Sequence, residues 1–142
     1  CSACGAVADR NPCRICADSK RKSEILCIVS NTRDQLNIEA TGQFPGQYLV
    51  LGGLINAIEG ITPDTLNFKA LENKINTGQV QEIILALSPT LEGETTGQYI
   101  KKLIGNKKIK LTRLARGLST GTDLEYTDEM TLINALKYRN EV

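Results

Sequence analysis

The sequence predicts an α/β protein in which a small module with four cysteines precedes a mainly parallel sheet flanked by helices. Two CxxC pairs stand at the start of the chain, and short apolar runs alternate with helical stretches from Glu24 onward. The first three helical stretches each end at a glycine. This alternation is typical of parallel sheets with helices on both faces. We divide the chain into the cysteine module over 1–23, an α/β domain over 24–116 and a carboxyl-terminal helical arm over 117–142.

The composition excludes several classes of protein. Of the 142 residues, 41% are hydrophobic and 23% are charged, which is typical of a soluble globular chain and argues against disorder. The net charge is +1, from 17 Lys and Arg against 16 Asp and Glu, so overall charge alone indicates no nucleic-acid partner. No apolar run approaches the roughly 18 residues of a membrane-spanning helix. Histidine is absent, so catalysis near neutral pH would need carboxylates or cysteine.

The first four cysteines have the spacing of metal ligands. Cys1, Cys4, Cys13 and Cys16 form two CxxC pairs, and Asn11–Pro12 between them favours a turn. Four thiolates at this spacing suit a closed tetrahedral zinc site, with Zn–S distances of about 2.3 Å. The alternative is the disulfide framework of a secreted miniprotein, which is disfavoured because the rest of the chain predicts an ordinary apolar core. We therefore predict zinc, a reducing compartment and a cytoplasmic location.

The rest of the chain alternates between predicted strands and helices. The strands are predicted at Ile25–Ser30, Gln47–Leu51, Glu82–Leu87 and Ile109–Leu114. The helices are predicted at Arg33–Gly42, Thr62–Gly78 and Ser88–Gly105, the last two with a Thr-Pro or Ser-Pro start that caps the helix. A last amphipathic helix follows a flexible turn after Gly117, and its apolar face is Tyr126, Met130, Ile133 and Leu136. Cys27, in the first strand, is predicted to be a buried residue without reactivity.

One turn resembles a known signature. SPTLEGE, at Ser88–Glu94, follows an apolar strand and opens a helix, as does the signature turn of the TOPRIM domain of topoisomerases and primases. The resemblance extends along the chain through CSACG with NPCRIC, SEILCIVSNTRD, FPGQYLVLGGLINAIEGITP, EIILALSPTLEGETT, KIKLTRLARGLSTG and TDLEYTDEMTL. In this order, over essentially all 142 residues, they look like the zinc knuckle, TOPRIM domain and carboxyl-terminal arm of the RecR family of bacterial recombination-repair proteins.

The resemblance also identifies three departures from a catalytic TOPRIM site. That site holds magnesium on a glutamate at the end of the first strand and on two aspartates of a D-x-D turn. Here the three positions are Ser30, Ser88 and Thr90, whose hydroxyls cannot balance a divalent charge. We therefore expect no metal-dependent catalysis. Three acids remain nearby and either stabilise helix N-termini or contact a partner protein: Glu92, Glu94 and Asp34.

The resemblance implies a non-enzymatic mediator of recombinational repair in bacteria, associated with the nucleoid. RecR proteins form rings, engage gapped DNA and bind RecO- and RecF-type proteins to help load recombinase onto single strands. They also carry an amino-terminal helix-hairpin-helix module, which is not in these 142 residues. The alternatives are a TOPRIM-type magnesium-dependent nuclease or strand transferase, and a zinc-stabilised protein-interaction domain without a DNA role.

Two basic clusters are candidates for DNA contact. The preferred cluster flanks the cysteines, beside the position of the helix-hairpin-helix module, and consists of Arg10, Arg14, Lys20, Arg21 and Lys22. The second has seven basic residues between Lys101 and Arg116 without an acid, and we interpret it as a solvated face. The chain begins at Cys1 and has Met130 as its only methionine, so we expect a fragment whose DNA binding is weak and salt-sensitive.

The last predicted helix needs a partner for its apolar face. The residues alone allow two arrangements, in which the helix docks on its own sheet or on a second copy of the chain. RecR rings are built from two kinds of contact, one of which involves the carboxyl-terminal region. The resemblance therefore favours a dimer for this fragment and a ring for the intact protein.

Overall fold

Four parallel strands form the centre of the computed structural model, which describes all 142 residues, Cys1–Val142. The strands are β1 (Lys22–Val29), β2 (Gly46–Val50), β3 (Glu82–Ala86) and β4 (Lys110–Arg113), in the sheet order β2-β1-β3-β4. The α-helices are α1 (Thr32–Glu39), α2 (Phe68–Asn76), α3 (Leu91–Ile104) and α4 (Glu129–Lys137). The predicted fold class is confirmed. None of these helices has the length and apolar character needed to cross a membrane.

The sheet is wound in both directions from its centre. β1 pairs with β2 on one side, where Cys27 lies opposite Tyr48, and with β3 on the other, where Cys27 lies opposite Ile84. The crossover through α1 runs from β1 to β2, whereas the crossover through α3 runs the opposite way, from β3 to β4. Because such crossovers are right-handed, α1 and α3 lie on opposite faces of the sheet.

Each face of the sheet packs into its own apolar layer. One layer joins the sheet to α2 and α3, through Leu26, Ile28, Leu49, Leu51, Phe68, Leu71, Ile75, Val80, Ile83, Ile100 and Ile104. The other joins the sheet to the cysteine module and to Ile38 of α1, through Cys4, Ala6, Cys13, Cys27, Val29, Tyr48, Val50 and Ala86. β1 serves both layers, which explains why Leu26–Val29 is a continuous apolar run. Cys27 is 1% exposed, and burial raises the pKa of its thiol to about 12.

Two predicted helix starts are wrong, because hydrogen bonds in the structure place each helix start further along the chain. Thr62–Pro63 begins a single 3-10 turn, Pro63–Thr65, and α2 starts only at Phe68. The backbone N–H of Asn67 donates to the Leu51 carbonyl at 3.0 Å, which ties this segment to the end of β2. The cap of α3 is Thr90 rather than Ser88, because the Thr90 hydroxyl accepts a hydrogen bond from the Gly93 N–H at 3.2 Å.

The carboxyl-terminal arm differs from its prediction at one residue. Tyr126 lies in a separate 3-10 turn, Leu124–Tyr126, so it is not part of the helical stripe. α4 starts after Asp128, whose carboxylate accepts the Thr131 N–H at 3.0 Å. No residue of α4 is buried, and Met130 remains 64% exposed. The apolar stripe of α4 is therefore not covered by the chain's own sheet.

Candidate metal centre and the carboxyl edge of the sheet

The sulfur atoms of the four predicted ligands converge on one point. All four Sγ atoms lie within 4.8 Å of one another, with Cys1 and Cys16 at 3.8 Å and Cys4 and Cys13 also at 3.8 Å. A tetrahedron of sulfurs around zinc, at the usual Zn–S distance, has edges of about 3.8 Å. The four cysteines are therefore placed to hold a metal ion, and their geometry fits a tetrahedral one.

Backbone N–H groups support the sulfurs. The Cys13 N–H points to the Cys1 sulfur at 3.4 Å, and the Cys16 N–H points to the Cys13 sulfur at 3.5 Å. Each CxxC pair is closed by a backbone turn, from the Gly5 N–H to the Cys1 carbonyl and from the Ala17 N–H to the Cys13 carbonyl, both 2.9 Å. N–H donors stabilise thiolates, so these turns favour the charged form that binds a metal.

The pKa values of the thiols indicate that the cluster needs a positive charge before all four can ionise. The nearby Cys16 thiol lowers the pKa of Cys4 to about 5. The proximity of Cys4 and burial together raise the pKa of Cys16. Ionising one thiol of this cluster therefore makes it harder to ionise its neighbour. Four thiolates at these distances need a cation among them, which a divalent metal supplies.

The module is fastened to the edge of the sheet. The carbonyl of Cys4 accepts the N–H of Val50 in β2 at 2.7 Å, so a residue of the cysteine cluster continues the hydrogen bonding of an edge strand. Gly5 has a φ of +83°, and a Cβ there would lie 2.8 Å from the Val50 carbonyl oxygen. The Val7 N–H donates to the Thr32 hydroxyl at 3.0 Å, which adds a contact to the start of α1. The module therefore covers an edge that would otherwise expose unpaired backbone groups.

The hydroxyl that follows β1 is satisfied by its neighbours. The Ser30 hydroxyl donates to Asp34 at 3.1 Å and accepts from the Asn31 side-chain amide at 3.2 Å. Asn31 is also the N-cap of α1, where its side-chain oxygen accepts the Asp34 N–H at 2.8 Å. Ser30 and Asp34 therefore form a closed local network that builds the turn into α1.

The turn after β3 lies at the same edge, because parallel strands end together. Here Thr90 caps α3, and a Cβ at Gly93 would lie 1.9 Å from the Ser88 carbonyl oxygen, so the turn requires glycine at this position. The three hydroxyls of Ser30, Ser88 and Thr90 are thus brought to one edge of the sheet. None carries the charge that a divalent ion needs from its ligands.

Two family models match the chain. The Toprim domain model covers residues 24–115, and the model described as RecR, C-terminal covers residues 117–140. Proteins named Recombination protein RecR from Bifidobacterium animalis subsp. lactis and Natranaerobius thermophilus are each 46% identical over all 142 residues, which align with 71% of the relative's length. Another, from Maridesulfovibrio salexigens, is 44% identical over 144 positions and 72% of its length. The chain belongs to the RecR family. Its relatives are recombination proteins, which supports a role in recombinational repair.

In this RecR-family chain one basic residue predicted to contact DNA has a different place. The guanidinium of Arg21 is 13% exposed, pairs with Glu39 and donates to the Gly46 carbonyl at 2.9 Å. The Tyr48 hydroxyl donates to the same Glu39 at 2.8 Å. Arg21 therefore joins the module to β2 and α1, which leaves little of its guanidinium accessible for contact with DNA. The other four basic residues predicted to contact DNA are exposed: Arg10, Arg14, Lys20 and Lys22.

The acids predicted to contact partners differ in their surroundings. Asp34 is engaged with Ser30, while Glu94 pairs with Arg113 at 3.4 Å and with Arg116. The hydrogen bond from Arg116 lowers the pKa of Glu94. Glu92 makes no ion pair and is half-buried on α3. Sequence reasoning missed the pairing of Glu94, because 19 and 22 residues separate it from the two arginines.

Proposed function

We propose that this chain is a zinc-holding, non-enzymatic mediator that acts in recombinational repair of gapped DNA. It binds DNA and RecO- and RecF-type proteins and so promotes recombinase loading, in the bacterial cytoplasm at the nucleoid. The observation that carries the proposal is the edge of the sheet at Ser30, Ser88 and Thr90. A catalytic TOPRIM domain has metal-binding carboxylates there, whereas the hydroxyls of Ser30 and Thr90 build and cap turns.

Zinc is the metal that the cysteine cluster suits best. Four thiolates in a tetrahedron are typical of structural zinc sites, and no position is left open for a substrate or water. When bound, the ion supplies the folding energy of a module that has only Cys4, Ala6 and Cys13 buried. Elemental analysis of protein purified without chelator should find one zinc per chain, and a value well below one would contradict a closed site.

DNA binding is assigned to the exposed basic residues around the module. Arg10, Lys20 and Lys22 make no ion pair, and Arg14 makes only a loose one to Asp9 at 3.7 Å between two largely exposed side chains. Such residues contact phosphates through counterion release and read no bases. Aromatic residues make up only 4% of the chain, so base stacking contributes little.

The test is a fluorescence titration of gapped duplex DNA at several salt concentrations. We expect the double variant Lys20→Gln with Lys22→Gln to bind more weakly and to reduce the slope of log K against log salt by about 1 to 2. The double variant Lys69→Gln with Lys74→Gln, on α2 at the opposite face of the sheet, removes the same charge and is the matched control, which should bind as the unmodified chain does. An unchanged titration for the double variant would place DNA contact elsewhere.

Partner binding and self-association use other surfaces. Glu92 is the acid left free on α3 for a partner protein, and α4 presents an uncovered apolar stripe that includes Met130, Ile133 and Leu136. We propose that a second copy covers this stripe, giving a dimer of this chain and a ring of the intact protein. Light scattering over a concentration series should show a dimer that Met130→Asp converts to a monomer. A monomer at every concentration would remove this part of the proposal.

Absence of catalysis is tested directly. Assays for DNA cleavage, relaxation and strand transfer with magnesium or manganese should stay at background. If the chain showed such activity and Glu92→Gln abolished it, the proposal of a non-enzymatic mediator would be overturned in favour of a TOPRIM enzyme. If the intact protein bound its partner proteins but no DNA, the interaction-domain alternative would replace the mediator.

A further inference from the structure

A cleft of about 200 Å³ lies between α3 and β4, on the face of the sheet opposite the cysteine module. Its apolar lining is Leu85, Leu87 and Leu111. On the α3 side the lining includes Gly97, where a Cβ would lie 3.3 Å from the side chain of Leu85. This volume is below the range of about 300–1,000 Å³ for sites that hold drug-sized molecules, so the cleft suits a small group.

The charged lining of the cleft is mostly positive. Lys101, Arg113 and Arg116 contribute three cations, and Glu94 contributes one carboxylate, which leaves an excess of two positive charges. Glu94 lies between the two arginines and is the acid that pairs with both. It therefore holds two guanidinium groups side by side at the opening of the cleft.

Most of the hydrogen-bond donors in this cluster have no partner within the chain. A guanidinium has five N–H donors, whereas Arg113 and Arg116 each use one terminal nitrogen, and both direct it to Glu94. The side chains are 53% and 32% exposed, so a solute can reach the remaining donors. Paired arginine forks match the oxygens of phosphate better than those of any neutral ligand.

We propose that this cleft binds a phosphate group, with Arg113 and Arg116 as its principal donors and Lys101 as a third cation. Glu94 keeps the two arginines in place when the cleft is empty and competes with the phosphate for them. The phosphate belongs to nucleic acid or is free in solution, and the two sources present the same oxygens to the arginines.

The test is a titration of the zinc-loaded 142-residue chain with inorganic phosphate, followed by amide ¹H–¹⁵N NMR spectra in a low-salt, phosphate-free buffer. We expect saturable shifts at Gly93, Gly97 and Arg113. Glu94→Gln should bind phosphate about fivefold more tightly, because it removes the competing carboxylate. Arg113→Gln and Arg116→Gln should each bind at least about fivefold more weakly.

Controls separate a specific site from general charge effects. Arg33→Gln removes an equal charge from α1, on the opposite face, and should leave the phosphate affinity unchanged. The proposal is overturned if neither the unmodified chain nor Glu94→Gln shows saturable shifts, or if Arg33→Gln weakens binding as much as Arg113→Gln. Glu94→Gln keeps the test decisive even if an arginine variant folds poorly, since the carboxylate is largely at the surface.

A competition arm identifies the source of the phosphate. The same oligonucleotide is tested with and without a 5′-phosphate. If both forms displace inorganic phosphate, the cleft binds the DNA backbone. If only the 5′-phosphorylated form displaces it, the cleft binds a strand end. No displacement by either form supports a site for free phosphate. Lys20 and Lys22 belong to the module, on the other face of the sheet. Their double variant therefore tests DNA binding at the module separately from phosphate binding in this cleft.

Discussion

Replacing Arg21 by alanine should destabilise the chain and leave its DNA affinity almost unchanged. The substitution removes the guanidinium that pairs with Glu39 and that donates to the Gly46 carbonyl at 2.9 Å. It also leaves the Glu39 carboxylate with only the Tyr48 hydroxyl as a donor. Lys20 is one residue earlier and is exposed, so Lys20→Ala should weaken DNA binding and leave the stability almost unchanged.

The magnitude follows from the burial of the pair. Removing one partner of a fully buried ion pair costs about 3–5 kcal/mol, and a single hydrogen bond to a charged group contributes about 1.5–3 kcal/mol. Glu39 is 29% exposed, so water takes over part of the role of the lost guanidinium. We therefore expect a loss of about 2–3 kcal/mol. For a chain of this length that lowers Tm by about 8–12 °C.

The assay is a double-mutant cycle in urea and thermal unfolding. Arg21→Ala, Glu39→Ala and the combined variant should give a coupling free energy of about 1–2 kcal/mol, because the combined variant no longer leaves a buried charge unpaired. DNA titrations of the same variants complete the comparison. If Arg21→Ala kept Tm within about 2 °C of the unmodified chain and weakened DNA binding as Lys20→Ala does, the structural role would be refuted and Arg21 would return to the DNA surface.

Thiol titration should find all five cysteines slow to react in the zinc-loaded chain, four reactive after chelation and the fifth, Cys27, only after unfolding. Gly93→Ala should cost at least about 2 kcal/mol in urea unfolding, because its Cβ would lie 1.9 Å from a carbonyl oxygen. Gly117→Ala, with no atom within 4 Å, is its neutral control. Burial raises the pKa of Cys27 from about 9 to about 12, so the folded state keeps this proton longer than the unfolded state does. The free energy of unfolding should therefore fall as the pH rises from about 9 to 12, and Cys27→Ala should flatten this decline.

Features with a local signal could be predicted from the sequence. The spacing of the CxxC pairs predicted the four-cysteine cluster, since a short turn suffices to bring two sulfurs together. The apolar character of the strand predicted at Ile25–Ser30 is typical of strands covered on both faces, and the structure places Leu26–Val29 in two separate layers. The glycine at position 105 predicted the end of α3 within one residue.

Features that depend on distant partners could not be predicted. Thr62 has the sequence of a helix cap, but Asn67 is tied to β2, and the helix begins six residues later. Arg21 stands among surface cations in the sequence, yet its partners are the distant Glu39 and Gly46. Each of these residues has an ordinary local propensity, and a long-range hydrogen bond outweighs it.

The sequence by itself determined the layers of the fold and the cluster of four cysteines, which follow from residue type, spacing and period. Its resemblance to TOPRIM domains added the expectation that hydroxyls stand at three positions where a catalytic site has carboxylates. Only the tertiary structure decided which charges face water, because a charge is removed from the surface by a partner that the fold brings to it. It thus gave Arg21 partners that leave its side chain only 13% exposed, and it placed Glu94 between Arg113 and Arg116 across some twenty residues of chain.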